Sequence, residues 1–498
     1  MIKKYFALML ALVIVAASLS ACSAENKQES TTEPTTQETT VITQDTTSFK
    51  LSYSKPDSLN PFASETLNNQ VLQNLVFDSL FVLDEAYEAQ PSIASGYSYT
   101  SSTTLEVTIP SGIMFSDGSK LDASSVVYSF NKAKNSPHWK NSLKYIESAS
   151  EVSSTVVRFR LKWANPYAHN LLTFAVASSD TDDNGYPIGS GRYKFGEGNG
   201  EVYLELNDKH EGFTPYITKI TLVNVTAEES IENAINIGNI SFAFRDMSAG
   251  TRSKMQCSKK AVNMNNLVYI GLNCSSGITS DANIRKAISL AIDRDTIVKS
   301  AYRGYAKSAL SPFNPASALG KDGELFSSTA DLTAAKQAIA QSSYKDSALS
   351  IDILTSNNEC SSAAAQLIKQ QLEAAGFKVT INEENSANYE KKVFSNSFNI
   401  YIGEVKLTGD MSLSSFYTKN GWTASGIDLS KSASYKSYWG WLEGSNEIGK
   451  FLLDFSDEMP FIPVLYKQGM LCYSKSMHGD MQGYEGNYFS NIEDWYFN

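Results

Sequence analysis

Apolar and polar residues begin to alternate with a period of two at Phe49-Lys50-Leu51-Ser52-Tyr53, which predicts a strand with one buried face. The same alternation returns over 105–109, 157–161, 202–206, 349–353 and 377–381. A helical period replaces it where Ile284, Ile288, Ala291 and Ile292 share one face. It appears again from Ala364 through Leu367, Ile368, Gln371, Leu372 and Ala375 to the stop signal Gly376. Residues 349–402 read as strand, helix, strand, a further segment and a strand at 398–402, the βαβ order of an α/β lobe. No internal repeat and no low-complexity linker divides the chain after residue 48, so short crossovers are expected to join its lobes.

Upstream of residue 49 the pattern changes. Lys3 and Lys4 precede an apolar stretch over 6–17 that is too short for a comfortable membrane span, the order of a signal peptide. The stretch ends in Leu19-Ser20-Ala21-Cys22, which resembles the lipobox at which bacterial lipoproteins are cleaved and acylated. Residues 1–22 are therefore expected to be a lipoprotein signal peptide, with Cys22 as the lipid attachment site. Residues 23–48 are rich in Thr, Gln and Glu with almost no apolar side chain, too little to fold, and are expected to form a flexible tether. Acyl chains on Cys22 would hold the protein on the outer face of the bacterial cytoplasmic membrane, in the periplasmic space or at the cell surface.

A chain of 498 residues with 42% hydrophobic content is long enough for at least two domains with real cores. The net charge of −11 argues against nucleic acid and anionic membrane as partners of the folded part, because both are bound through clustered Lys and Arg. Cys257, Cys274, Cys360 and Cys472 form no CxxC pair; they permit two disulfides and require none. His138, His169, His210 and His478 form no HxxxH or HxH and are read as surface or turn residues, so neither a metal nor a cofactor is expected. Gly196, Gly198 and Gly200 are followed by no Gly-Lys-Ser/Thr, which favours a hairpin turn over a phosphate cradle. An extracellular hydrolase is the alternative from another class, but no Gly-x-Ser-x-Gly or His-Glu-x-x-His supports an enzyme.

Several separated motifs carry a resemblance. They are Asp57-Ser58-Leu59-Asn60-Pro61, Gln90-Pro91-Ser92-Ile93-Ala94, the run Phe115-Ser116-Asp117-Gly118 through Leu121-Asp122-Ala123 to Tyr128-Ser129-Phe130, and Pro187 to Tyr193. Arg285-Lys286-Ala287-Ile288 with Ala291-Ile292-Asp293-Arg294, and Met459-Pro460 to Tyr466, complete the set. Together they resemble the family 5 extracellular solute-binding proteins of ABC importers, the oligopeptide- and dipeptide-binding group. Lys120 and Ser125 depart from the pattern, where the family has Pro and Asp. The residues themselves predict a tight Asp-Gly turn and a helix capped near Asp122, with Val126, Val127 and Phe130 inward. In the 187–193 turn the glycines are expected to supply special backbone angles, and Asp293 and Arg294 read as cap and ion-pair residues.

The resemblance implies a two-lobed α/β fold of the periplasmic-binding-protein type (type II, large cluster, with an extra subdomain in the first lobe) and a ligand cleft between the lobes. Residues 49–268 and 463–498 would form the first lobe, with its subdomain over about 67–186, and residues 269–462 the second. It also implies a monomer that closes on a small solute, a peptide foremost, and delivers it to the ABC permease subunits in the membrane. Nickel chelates and oligosaccharides remain open as ligands, and so does a sensor role without transport.

Peptide-binding relatives hold the ligand's amino end with an aspartate in a Gly-Trp-x-x-Asp context after a strand. The matching stretch runs from Phe398 to Asp410, with Asp410 at the clamp position and Val405 or Lys406 where the Trp stands. Glu404 is an alternative clamp, and Lys406 would meet a carboxylate or pair internally. Tyr417, Trp422, Tyr438, Trp439 and Trp441 come next in the chain as candidates to line pockets or stack on a sugar ring.

Overall fold

The computed structural model describes residues 47–248, 253–321 and 323–497. The expected signal peptide, Cys22 and the tether as far as residue 46 lie outside the described residues. Among the described residues, no helix is long and apolar enough to cross a membrane.

The period-two segments pair as strands of one eleven-stranded sheet. From one edge its order is Tyr193–Gly198, Glu201–Leu206, Lys219–Asn224, Lys50–Tyr53, Phe242–Asp246, Phe461–Tyr473, Ser258–Leu272, Ile400–Lys406, Ser350–Ser356 and Lys378–Glu384, with Ala306–Ser308 added on Phe461–Tyr473. Ser350–Ser356 runs parallel to both neighbours, with the Glu359–Ala375 helix crossing between it and Lys378–Glu384; this is the expected βαβ unit. Gly376 ends that helix at φ +110°, a left-handed angle that glycine takes without a side-chain clash.

Two long strands, Ser258–Leu272 and Phe461–Tyr473, carry the sheet from one lobe to the other. Their outer ends belong with the apolar cluster that holds Phe242 and Phe244, and their other ends with a cluster built on Ile270, Ile353 and Ile400. Midway the ladder slips. Asn263 pairs with Gln468 and Leu267 with Tyr466, so Met264, Asn265 and Asn266 face Lys467 alone. Such a bulge bends a strand locally, here at the passage between the lobes.

A separate four-stranded antiparallel sheet, in the order Gly96–Ser101, Thr104–Thr108, Val156–Leu161 and Ile146–Ser153, packs under the Ala123–Ala133 helix. Asp122 caps that helix: its carboxylate accepts from Ser124 N at 2.9 Å and Ser125 N at 3.3 Å, and Ser125 Oγ accepts in return from Asp122 N. Val126 and Phe130 are buried as expected, while Val127 is only half-buried. Asn199 and Gly200, at φ +54° and +76°, make the two-residue turn of the hairpin that was expected at the glycine cluster.

Two sequence expectations need correction. Gly189 and Gly191 have no positive φ; they are glycines because a Cβ at Gly189 would fall on the Val76 backbone and the Phe77 ring, and one at Gly191 on the backbone of Leu75 and Val76. Arg294 makes no ion pair among the described residues. It is 1% exposed, and its guanidinium donates to Pro463 O at 2.9 Å, Ser327 O at 3.0 Å and Ser289 Oγ at 3.2 Å, so it spans the second-lobe core through neutral acceptors. Asp293 caps the next helix as expected, accepting from Thr296 N at 2.8 Å.

Candidate functional site

The Ile400–Lys406 strand ends beside the bulge, and the bulge fixes the loop that leaves it. Leu407 N donates to Asn265 O at 2.8 Å, while Asn265 Nδ2 donates to Leu407 O and Thr408 O at 3.1 and 2.9 Å. The loop then turns sharply at Met411, whose φ of +55° is uncommon for a residue with a side chain. This places the Asp410 side chain inside the protein, 5% exposed.

The partners of Asp410 are uncharged. Oδ2 accepts from Asn165 Nδ2 at 2.7 Å, and Oδ1 from the Thr408 hydroxyl and from Ser412 N at 3.3 Å. Burial pushes its carboxyl pKa above the usual carboxylate range, only partly offset by the bonds from Thr408 and Asn165. Asn165 follows the four-stranded sheet and lies far from Asp410 in the chain, so the carboxylate meets a partner that only the fold brings to it. Asn170 ties the same seam, donating to Tyr87 O at 3.0 Å and to Gly409 O at 3.3 Å. Gly409 must be small: a Cβ would lie 2.7 Å from Asn170 O and 2.8 Å from Leu83 Cδ1.

The facing wall is aromatic. His169 stacks on Tyr97 with ring centroids 4.2 Å apart; its Nε2 lies 3.1 Å from Tyr97 OH and its Nδ1 3.2 Å from Tyr99 OH. Burial lowers the imidazole to about 4, so it is neutral near pH 7. The reading of this histidine as an ordinary surface or turn residue is thereby corrected. Burial raises the Tyr99 phenol, and the Asp410 charge adds to the rise. Beyond it, Tyr145 packs on Trp163 at 4.2 Å, Trp163 meets Trp439 edge-on at 5.1 Å, and Tyr167 meets Trp441 at 5.8 Å. Trp439 Nε1 is buried with no hydrogen-bond partner among the described residues. The helix Ala433–Leu442 that carries both tryptophans is held at its start by Glu458, whose carboxylate accepts from Ser434 N at 3.0 Å and Ser432 Oγ at 2.6 Å.

Glu404 and Lys406 are engaged at the bulge. Glu404 accepts from Asn266 Nδ2 at 2.8 Å and pairs with Lys467 at 3.1 Å; Lys467 also meets Asp246 at 2.5 Å. Burial would lower the Lys467 ammonium, but Glu404 and Asp246 hold it above its usual value. Lys406 pairs with Glu485 at 2.8 Å, and this carboxylate raises the ammonium's pKa. Glu485 further accepts from Asn265 N at 2.8 Å and Tyr87 OH at 3.2 Å. Beside it opens a cavity of about 300 Å³ lined by Asp84, Glu85, Lys260, Asn263 and Tyr484.

Two candidates do not reach this region. Tyr417 is buried in the second-lobe core, stacked on Tyr438 at 5.2 Å, and Trp422 packs on Tyr389 and Phe394 while its carbonyl accepts from Tyr401 OH. Neither side chain lies beside Asp410, and the Tyr417 hydroxyl is buried with no hydrogen-bond partner among the described residues. Asn165, Tyr97, Tyr99, His169, Trp163 and Glu485 were missed. Each comes from a segment far from Asp410 in the chain and has no motif of its own.

Residues 88–426 match the model of the bacterial extracellular solute-binding proteins, family 5. The glutathione-binding protein GsiB of Salmonella paratyphi A is 24% identical over 389 residues, 74% of this chain and 73% of that one. The protein AppA from Clostridium difficile superposes with a TM-score of 0.69 at 18% identity, covering 90% of this chain and all of that one. NikA from Brucella suis, solved in complex with Fe(III)-EDTA, gives a TM-score of 0.68 at 18% identity, over 90% of this chain and 100% of its own.

Proposed function

This chain belongs to family 5 of the bacterial extracellular solute-binding proteins, and on that premise we propose that it captures a short peptide by its amino end and delivers it to an ABC importer. Asp410 carries the reading. It is a buried carboxylate whose donors are all neutral, and an ammonium would supply the charge that its surroundings lack. Asn165 holds the place that a ligand amine would take or share. Contact with Asp410 on one lobe and Tyr99 on the other gives the ligand a grip on both, which is what shifts a hinged protein towards closure. The aromatic walls 97–99, 163–167 and 439–441 suit apolar side chains and peptide planes. The protein works as a binding module without turnover, a lipid-anchored monomer held at Cys22, with the tether giving it reach to the permease.

The test is thermal unfolding of the full chain with short peptide pools, oligosaccharides and nickel chelates in parallel. A ligand at one hundred times its dissociation constant adds about 2.7 kcal/mol, enough to raise the midpoint measurably. A rise with peptides that is lost when the amino end is acetylated, and lost in Asp410→Ala, is expected. A rise only with sugars or chelates sinks the peptide assignment and leaves the binding-protein reading in place.

A further inference from the structure

Two cysteines meet in a cluster that shares no residue with the surroundings of Asp410. On the long strand Phe461–Tyr473, Cys472 lies opposite Lys259 of the strand Ser258–Leu272, and Cys257 stands two residues before Lys259. Positions two apart on a strand share a face, so Cys257 and Cys472 are diagonal neighbours across an antiparallel pair. Both pack beneath the helix Glu228–Asn236 in a small apolar cluster with Ile235, Met247, Met255 and Met470. Cys472 is fully buried, whereas Cys257 is partly open to solvent at the strand's start. Cys257 and Cys472 are therefore neighbours within this cluster. The neighbouring Cys472, aided by Lys259, brings the Cys257 thiol down to about 7 against the effect of burial. The other two described cysteines are held apart on carbonyls, Cys360 on Ser248 O at 3.1 Å and Cys274 on Pro460 O at 3.9 Å.

We propose that Cys257 and Cys472 are a disulfide-forming pair, oxidised by thiol–disulfide exchange with a disulfide-bearing oxidant. The Cys257 thiolate attacks one sulfur of the oxidant's disulfide, forming a mixed disulfide and releasing the other sulfur as a thiolate. Cys472 gives its proton to that leaving thiolate and displaces the remaining sulfur from Cys257 as a second thiolate, which takes up the proton that Cys257 had lost to water. Two thiols of the protein become one disulfide, and the oxidant's disulfide becomes two thiols. The order is set by access, since only Cys257 of the pair reaches solvent and Cys472 is in place to resolve it. The bond would close a loop containing residues 258–471, and so the whole second-lobe core, while lying on one side of the bulge at 264–266. It would therefore restrict the unfolded chain and leave the passage between the lobes free to bend.

The test needs no ligand, so it stands or falls apart from the transport reading. The full chain, reduced and then incubated with oxidised glutathione, is alkylated under denaturing conditions and digested. The expected result is a linked peptide pair containing Cys257 and Cys472, alkylation of Cys274 and Cys360, and a melting temperature about 5 °C above that of the reduced chain. In Cys472→Ala, glutathione should remain on Cys257 as a mixed disulfide. Alkylation of Cys257 and Cys472 after oxidation, or a lasting glutathione adduct on Cys257 in the unaltered chain, overturns it.

Discussion

Asp410 and Arg294 are both buried charges of the second lobe, and they are satisfied in opposite ways. Arg294 is wrapped by the carbonyls of Pro463 and Ser327 and the Ser289 hydroxyl, and burial lowers its pKa only to about 10, so it stays charged. Asp410 leans on the Asn165 amide from a distant segment of the chain, and burial pushes it towards its neutral form. A charge whose partners move with it fixes a structure. A charge whose partner stands across a cleft gives a newcomer something to replace.

That contrast can be broken first at Arg294. Arg294→Met strands at least two buried carbonyls, and at about 1–3 kcal/mol each the loss should reach about 3 kcal/mol or more, read as a lower urea midpoint. Asp410→Asn should do the reverse to the ligand-free protein, raising its stability by roughly 1 kcal/mol, because a buried charge is removed and an amide can still bond. The same change should weaken an amine ligand by about 10- to 100-fold in calorimetry, the worth of one charge-assisted bond.

A pH series sharpens the point. The folded-state pKa of Asp410 is raised, so the stability contributed by its protonated form is complete below the unfolded value near 3.9 and is lost as pH rises through the folded value. Melting temperatures of the unaltered chain and Asp410→Asn should thus coincide near pH 4 and diverge towards about pH 7, with the unaltered chain falling behind. Parallel curves would remove the case for a poised carboxylate. The smallest effect is expected at Glu404→Gln, below about 1 kcal/mol, since Lys467 keeps Asp246 and Glu404 is partly exposed.

The fold was largely legible because periodicity reports burial, and burial is what strands and helices share with their sequence. The helix after Asp122 and the βαβ unit ending at Gly376 were readable from local patterns alone. Gly189 and Gly191 were misread because their need is space beside Val76, a neighbour more than a hundred residues away in the chain. Arg294 was misread for the same reason: a sequence shows a charge but not that three acceptors already surround it. In the candidate site, one side could be named from the stretch after a strand. The other could not, since Asn165, Tyr99 and His169 acquire their place only when distant segments of the chain meet. Tyr417 and Trp422 show the converse, as an aromatic run looks alike whether it lines a cleft or fills a core.

The strand Phe461–Tyr473 lies at the middle of the great sheet, between Phe242–Asp246 and Ser258–Leu272. It also follows every other strand of that sheet in the chain. A ribosome therefore delivers the flanking strands of both lobes long before the strand that joins them, and neither lobe can be finished on the way. Folding must wait for that strand, and a fragment ending before Phe461 would be a chain with two half-sheets and no centre.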